Sequence, residues 1–273
     1  YSLLNYDFET GKHTLQDLSV TSYRALTIDP DARVSTTNTR VTYEARLLHS
    51  AAWKEHQTSL TAVFQASEYT YTPIQKVLDG MPQRNLTYSM RGSYGYKDRY
   101  FVEGSFGYNG SERFAAHERY GFFPSFGLGY IISNESFWEP LLNTMDKLKF
   151  KMTYGLVGND AIGSSDDRFY YLSEVNPNDG GRGQYFGTNY GNQMNGVSIS
   201  RYPNTNITWE KSKKGNFGIE LGMFNSALEV QADFFYERRT QIYQNRAYIP
   251  STMGLSAGVS ANIGEASSRG VDL

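Results

Sequence analysis

The run Asn85-Leu86-Thr87-Tyr88-Ser89-Met90-Arg91-Gly92-Ser93-Tyr94-Gly95-Tyr96, followed after Lys97-Asp98-Arg99 by Tyr100-Phe101-Val102-Glu103-Gly104-Ser105-Phe106-Gly107-Tyr108-Asn109, decides the fold. Leu86, Tyr88, Met90, Tyr94 and Tyr96 fall on one face, and Asn85, Thr87, Ser89, Arg91 and Ser93 fall on the other. Period-two alternation of this kind is the signature of a strand with two unlike faces. The second run repeats it, with Tyr100, Val102, Phe106 and Tyr108 opposed to Glu103, Ser105 and Asn109. A three-residue connection between two such runs reads as a β-hairpin.

Outward from this hairpin the same alternation recurs. It yields ten strands, near 1–8, 13–25, 39–53, 58–72, 85–96, 100–109, 120–133, 147–158, 207–223 and 227–243, and the start of an eleventh near 264. The connections alternate between short (9–12, 54–57, 97–99, 224–226) and long (26–38, 73–84, 110–119, 159–206, 244–263). Only 134–146 breaks the rule, and its Glu135-Ser136-Phe137-Trp138-Glu139-Pro140-Leu141-Leu142 reads as one helical turn. Short turns at one end and long loops at the other are the pattern of an up-and-down barrel in an outer membrane.

Composition supports this over its competitors. The 273 residues include 26 Gly, 22 Tyr and 16 Phe, no Cys, and a net charge of -2. Balanced charge argues against a nucleic-acid partner. The absence of cysteine excludes a disulfide framework, a thiol nucleophile and a cysteine-ligated metal. A mean hydropathy of -0.54, with no apolar run of about 18 residues, excludes a membrane-spanning helix. It does not exclude a membrane barrel, in which half of each strand is polar. A soluble sandwich also alternates. However, the apolar faces here carry Tyr and Gly where a packed core prefers Leu, Ile and Val. The strands run about 10–15 residues where a tilted membrane strand needs about 9–11. Aromatics gather near strand ends: Trp53, Tyr96 and Tyr100 beside short turns, and Phe137 and Trp138 in the odd connection. Such rings suit the headgroup layer.

Several motifs follow in order. Asn109–Phe114 (Asn-Gly-Ser-Glu-Arg-Phe) precedes Gly121-Phe122-Phe123-Pro124-Ser125. Then come Leu148–Asp160 (Leu-Lys-Phe-Lys-Met-Thr-Tyr-Gly-Leu-Val-Gly-Asn-Asp), Ile207-Thr208-Trp209-Glu210, Pro250-Ser251-Thr252-Met253-Gly254, and Asn262-Ile263-Gly264-Glu265 with Arg269-Gly270-Val271-Asp272-Leu273. Over about 85–273 the chain resembles the SusC/RagA family of TonB-dependent outer-membrane transporters. Residues 1–84 carry no such motif. The resemblance implies an all-β fold, a transmembrane antiparallel up-and-down β-barrel of 22 strands with an internal plug. Residues 1–273 would form part of that one barrel domain, without the plug, the TonB-contacting N-terminal segment or either true terminus. It implies an importer of oligosaccharide or peptide cargo in the outer membrane of a Gram-negative bacterium. The partners would be a SusD-like surface lipoprotein, the TonB complex and outer-membrane lipid. No enzyme activity and no cofactor are implied. The alternatives are a passive porin or adhesin-like barrel and, less compatible with the motifs, a soluble lectin or glycan hydrolase.

No catalytic constellation stands out. His13, His49, His56 and His117 are scattered and lie at no metal-ligand spacing. Asp160, Asp166, Asp167, Asn176, Asn178 and Asp179 could offer oxygen ligands to Ca²⁺, but their spacing matches no calcium loop. Asp179-Gly180-Gly181-Arg182-Gly183 lacks the Lys-Ser/Thr of a phosphate loop and reads as a flexible loop. The long 159–206 connection is the best candidate for contact with cargo or lid, through Tyr170, Tyr171, Tyr185, Phe186, Asn189 and Tyr190. Aromatic faces and amides suit sugar rings or a protein partner. The same rings could equally pack the loop internally. The charges Arg91, Glu103, Lys149, Lys151, Glu220, Glu229, Asp233 and Glu237 fall on polar faces and are expected to face the lumen.

Overall fold

The computed structural model describes residues 2–7, 12–17, 37–72, 80–163 and 169–273. These residues contain thirteen strands. β1 (Ser2–Asp7) and β2 (Lys12–Asp17) pair with each other. The main sheet has nine antiparallel strands: β3 (Thr37–Trp53), β4 (His56–Thr72), β5 (Gln83–Tyr96), β6 (Tyr100–Ser111), β7 (Tyr120–Ile131), β8 (Lys147–Asn159), β11 (Glu210–Met223), β12 (Leu228–Asn245) and β13 (Ser260–Asp272). Neighbours in the sheet follow chain order, which is up-and-down barrel topology, and β3 and β13 form the open edges. The remaining pair, β9 (Glu174–Phe186) and β10 (Asn192–Arg201), is a separate two-stranded hairpin between β8 and β11.

Register sets the two faces. Tyr96 pairs with Tyr100, Tyr100 with Tyr130, Phe126 with Tyr154, Met152 with Phe217, and Phe217 with Phe234. Apolar residues are therefore aligned across all these strands on one side, because side chains of paired residues share a face. On that side Leu47, Phe126, Met152 and Phe234 remain 45–62% exposed. A contiguous apolar surface of this extent is an interaction surface, and on a barrel strand it is the one that meets lipid.

The other face is polar and internally bonded. Ser59 and Ser93 share a hydrogen bond of 2.7 Å, and Ser105 and Ser125 one of 2.6 Å. Arg91 reaches Glu103 at 2.6 Å, and Lys151 sits 3.0 Å from Asp233 and 3.6 Å from Glu220. Ser59, Arg91, Ser93, Glu103, Ser125 and Lys151 line a concave hollow of about 930 Å³. Polar side chains are tolerated there because a barrel interior is wet.

Stacked tyrosines bracket the apolar face. Tyr100 and Tyr130 lie 5.1 Å apart and nearly parallel at the short-turn end; Tyr108 and Tyr120 lie 5.3 Å apart and nearly parallel at the other. Eight residues separate Tyr100 from Tyr108, about 26 Å along the strand. At a tilt of 35–45° this becomes about 19–22 Å along the membrane normal, with the rings reaching into both boundaries of the ~25 Å apolar band. At the short-turn end the row continues laterally through Tyr96, His56 and Trp53, with successive rings 5.0–6.4 Å apart.

The turns obey the expected length rule. Two residues join β3 to β4, with Lys54 at φ 52°. Lys97–Arg99 joins β5 to β6, and Phe224–Ala227 joins β11 to β12, each with left-handed residues that let the chain reverse tightly.

Three expectations need correction. The 159–206 connection is not without structure, since β9 and β10 occupy much of it, and Asp179–Gly183 lies inside β9 rather than in a flexible loop. Strand 207–223 begins only at Glu210, because Ile207, Thr208 and Trp209 turn inward to pack. The strand near 264 starts earlier, at Ser260, and runs through Asp272. β2 covers the described part of the expected strand 13–25, and residues 18–25 lie outside the described ones.

Candidate functional site

The long-connection end of the sheet is built around one buried cluster: Phe114, Phe123, Ile162, Tyr170, Ile207 and Trp209, with Leu156 and Tyr243 packed against it. The sequence motifs meet here. Phe114 comes from the Asn109–Phe114 motif, Phe123 from Gly121–Ser125, and Ile207 and Trp209 from Ile207–Glu210. Phe123 points to the polar face and lies flat over Gly121 and Gly158, where an added methyl group would overlap its ring. The glycines of those motifs thus make room for an aromatic ring laid along the wall. Trp209 meets Phe123 at 5.2 Å and Phe114 at 5.3 Å between centroids, and its indole N–H donates to the Arg119 carbonyl at 3.3 Å. The ring polarity favours such tilted and edge contacts, and the buried N–H finds a partner.

Polar residues of the same motifs lock the surrounding segments. The Asn262 amide donates to the carbonyls of Thr208 and Gln241, both at 2.8 Å, while its oxygen accepts the Thr208 N–H at 2.9 Å. Glu210 accepts the Tyr243 N–H at 3.0 Å and the Asn159 amide at 3.1 Å, bridging β12 and β8. The connection 246–259 is held to the base of the hairpin by Tyr202, whose hydroxyl accepts the Ser256 N–H at 3.2 Å. Hydrogen bonding to Ser256 holds the pKa of that phenol below its ordinary value.

The candidate contact residues divide in two. Tyr170 is 2% exposed inside the cluster, edge-on to Tyr243 at 5.3 Å and under the Arg201 guanidinium. It is part of the packing, beyond reach of a surface partner. Tyr171 is partly buried at the hairpin base, with its carbonyl taken by the Asn204 N–H at 3.2 Å. Tyr185, Phe186, Asn189 and Tyr190 are brought together at the exposed tip, with Tyr190 74% accessible. The tip reverses through Gly187 at φ 94° and Tyr190 at φ 48°. Met194 and Val197 on β10 extend this exposed apolar surface. Sequence reading missed them because they do not alternate with a partner strand's core.

Two of the candidate calcium ligands bond locally. The Asn176 and Asp179 side chains accept backbone N–H groups two residues ahead, at 3.0 and 2.9 Å. A bond from Ser198, then the Gly181 N–H, holds the Asp179 carboxyl below its ordinary range. Asp166 and Asp167 lie outside the described residues. Among the described residues no three acidic or histidine side chains form a metal-binding group.

This architecture has clear relatives. A TonB-dependent receptor of Formosa agariphila is 31% identical over 180 residues, 66% of this chain and 16% of its own length. The TonB-dependent receptor SusC of Bacteroides thetaiotaomicron is 29% identical over 187 residues, 68% of this chain and 18% of its own. Over about two thirds of its length the chain is similar to TonB-dependent receptors, SusC among them. It spans less than a fifth of the curated relatives it matches. No protein-family model matches it. Among solved structures, the RagAB peptide importer in its closed-closed state superimposes with a TM-score of 0.65 at 21% identity, over 87% of this chain and 27% of that one. The siderophore receptor PirA of Pseudomonas aeruginosa does so with a TM-score of 0.52 at 12% identity, over 86% and 38%. At these identities the structural likeness is one of fold. For a SusC-type receptor the two-faced sheet is barrel wall, and the cluster is the anchor of its long connections.

Proposed function

We propose that this segment forms wall and outward loops of an active importer in the outer membrane of a Gram-negative bacterium. Cargo is an oligosaccharide or a peptide, import is energised through the TonB complex, and a SusD-like surface lipoprotein closes over the long-connection end. The role is binding and passage, with no bond chemistry. The observation that carries this reading is the asymmetry of the sheet's two ends. One is trimmed mostly to tight turns, whereas the other presents long connections fixed by a buried cluster. A passive pore has no need to hold its outward loops so firmly. Kinship with the receptor SusC and the fold shared with the RagAB importer support the class, and RagAB itself is an importer of peptides. Tyr185, Phe186, Asn189 and Tyr190, with Tyr171 at the base, are proposed to meet cargo or lid, since exposed rings and amides serve either.

The test uses the full-length receptor with residues 174–201 replaced by a short Gly-Ser linker. Surface expression and heat-modifiable mobility should persist while uptake of labelled oligosaccharides and oligopeptides falls. Dissipating the proton gradient should abolish uptake by the unaltered receptor. Uptake that survives dissipation would identify a passive pore and overturn the proposal.

A further inference from the structure

The short-turn end carries one connection that is too long for a turn. Residues 132–146 join β7 to β8, whereas the other connections on this end of the main sheet take two to four residues. This segment is ordered and tethered. Ile132–Asn134 and Ser136–Leu141 are 3₁₀ turns. The Asn134 amide donates to the Asp98 carbonyl at 2.7 Å, and the Phe224 N–H donates to the Thr144 carbonyl at 3.1 Å, so the segment links two neighbouring turns. Glu135 accepts from the Tyr100 hydroxyl at 2.6 Å, Arg99 at 2.8 Å and the Tyr130 hydroxyl at 3.3 Å. The Trp138 indole donates inward to the Met145 carbonyl at 3.0 Å. On this fixed frame Phe137, Leu141 and Leu142 remain 65%, 48% and 38% exposed.

Two observations select the occupant. Tyr100 and Tyr130 terminate the apolar outer face, and Glu135 binds their hydroxyls, so the segment leaves the sheet on its lipid side. The same tyrosines belong to the row Trp53, His56, Tyr96, Tyr100 and Tyr130, which lies at headgroup level. The exposed apolar side chains are therefore continuous with the lipid-facing surface. A short amphipathic segment in that position seats its apolar side about 5–10 Å into the headgroup–acyl boundary.

We infer that Ser136–Leu142 is an interfacial foot, which beds Phe137, Leu141 and Leu142 in the membrane leaflet on the short-turn side. The inference rests on the membrane reading of the sheet, so its test carries a separate control. The chain contains no cysteine, which leaves its introduced thiols as the only labelling positions it contributes. In the full-length receptor, with any other cysteines replaced, Phe137→Cys and, as a second variant, Leu142→Cys are labelled with bimane. The protein is placed in nanodiscs of phosphatidylethanolamine and phosphatidylglycerol containing headgroup, shallow-chain or deep-chain spin labels. Leu47→Cys, on the outer face of β3 at mid-strand, is the control. The foot positions should be quenched most by headgroup and shallow-chain labels and weakly by aqueous iodide; Leu47→Cys should be quenched most by the deep label. Quenching of both foot positions by iodide alone, or by neither iodide nor lipid, overturns the inference, the latter pointing to a covering protein surface. A Leu47→Cys control untouched by lipid overturns the membrane reading and the foot with it.

Discussion

The side chain of Asn262 and the backbone of Thr208 form a reciprocal pair: the Asn262 oxygen accepts the Thr208 N–H at 2.9 Å while its amide donates to the Thr208 carbonyl at 2.8 Å. Thr208 is buried, and each of these backbone groups has its partner supplied by a side chain on β13. Leaving a buried polar group unpaired costs about 1–3 kcal/mol. Asn262→Ala should therefore lower stability by an amount in that range. Asn262→Asp should do worse, because an acceptor would face the carbonyls of Thr208 and Gln241. Urea unfolding of the receptor in lipid vesicles measures the order; an Asp variant as stable as the parent would show that the pair contributes nothing.

Trp209 and Phe123 hold the same cluster by packing. Truncating a buried aromatic to alanine costs about 3–5 kcal/mol, so Trp209→Ala should release the 160–206 segment as well as lower the unfolding midpoint. Gly158→Ala acts from the opposite side. Its methyl group would overlap the Phe123 ring, and overpacking costs about 1–3 kcal/mol. Protease cleavage within 160–206 should rise in both variants. If it rises in neither, the cluster does not anchor that segment.

The hairpin tip should behave differently. Tyr185, Phe186 and Tyr190 are exposed, and exposed substitutions usually change stability by less than about 0.5 kcal/mol. The triple Ser variant should keep the parent's unfolding midpoint and lose uptake or lid binding. A large drop in midpoint would assign these rings to structure instead.

Glu135 gives a pH dependence. The Tyr100 hydroxyl, first, and the adjacent Arg99 charge hold its carboxyl below the ordinary range. A depressed folded value means that its contribution is complete above the unfolded carboxylate range and is lost as pH falls through the folded value. Protection of 136–146 from protease should accordingly survive mild acid and fail only below the usual glutamate range. Glu135→Gln should abolish that acid step and weaken protection at neutral pH. An unchanged acid step in Glu135→Gln would place its origin elsewhere.

The wall was legible because alternation and register express one physical fact, two unlike solvents on two sides of a sheet. The β5–β6 hairpin needed nothing else: Leu86, Tyr88 and Met90 declare the face, and Lys97–Arg99 the turn. The β9–β10 hairpin was illegible because it separates no two solvents. Its Asn176-Pro177-Asn178-Asp179-Gly180-Gly181 run carries turn chemistry, and the structure uses it as such within a strand, through the Asn176 and Asp179 bonds and several register shifts. The site was half legible. The motifs named Phe114, Phe123 and Trp209, but no local pattern says that segments from 114, 123, 170 and 209 converge. Nor does any pattern separate Tyr170, which packs, from Tyr190, which does not; that difference is purely tertiary.

The two stacked tyrosine pairs on β6 and β7 have a mechanical consequence. A strand marked by polar-tipped rings at both boundaries has one preferred height in the bilayer, and displacement either way drags phenols into hydrocarbon or apolar side chains into water. Under the importer reading, a pull delivered to whatever the barrel encloses is opposed by this wall. The wall serves as a stator, and the force acts on the contents instead of moving the barrel.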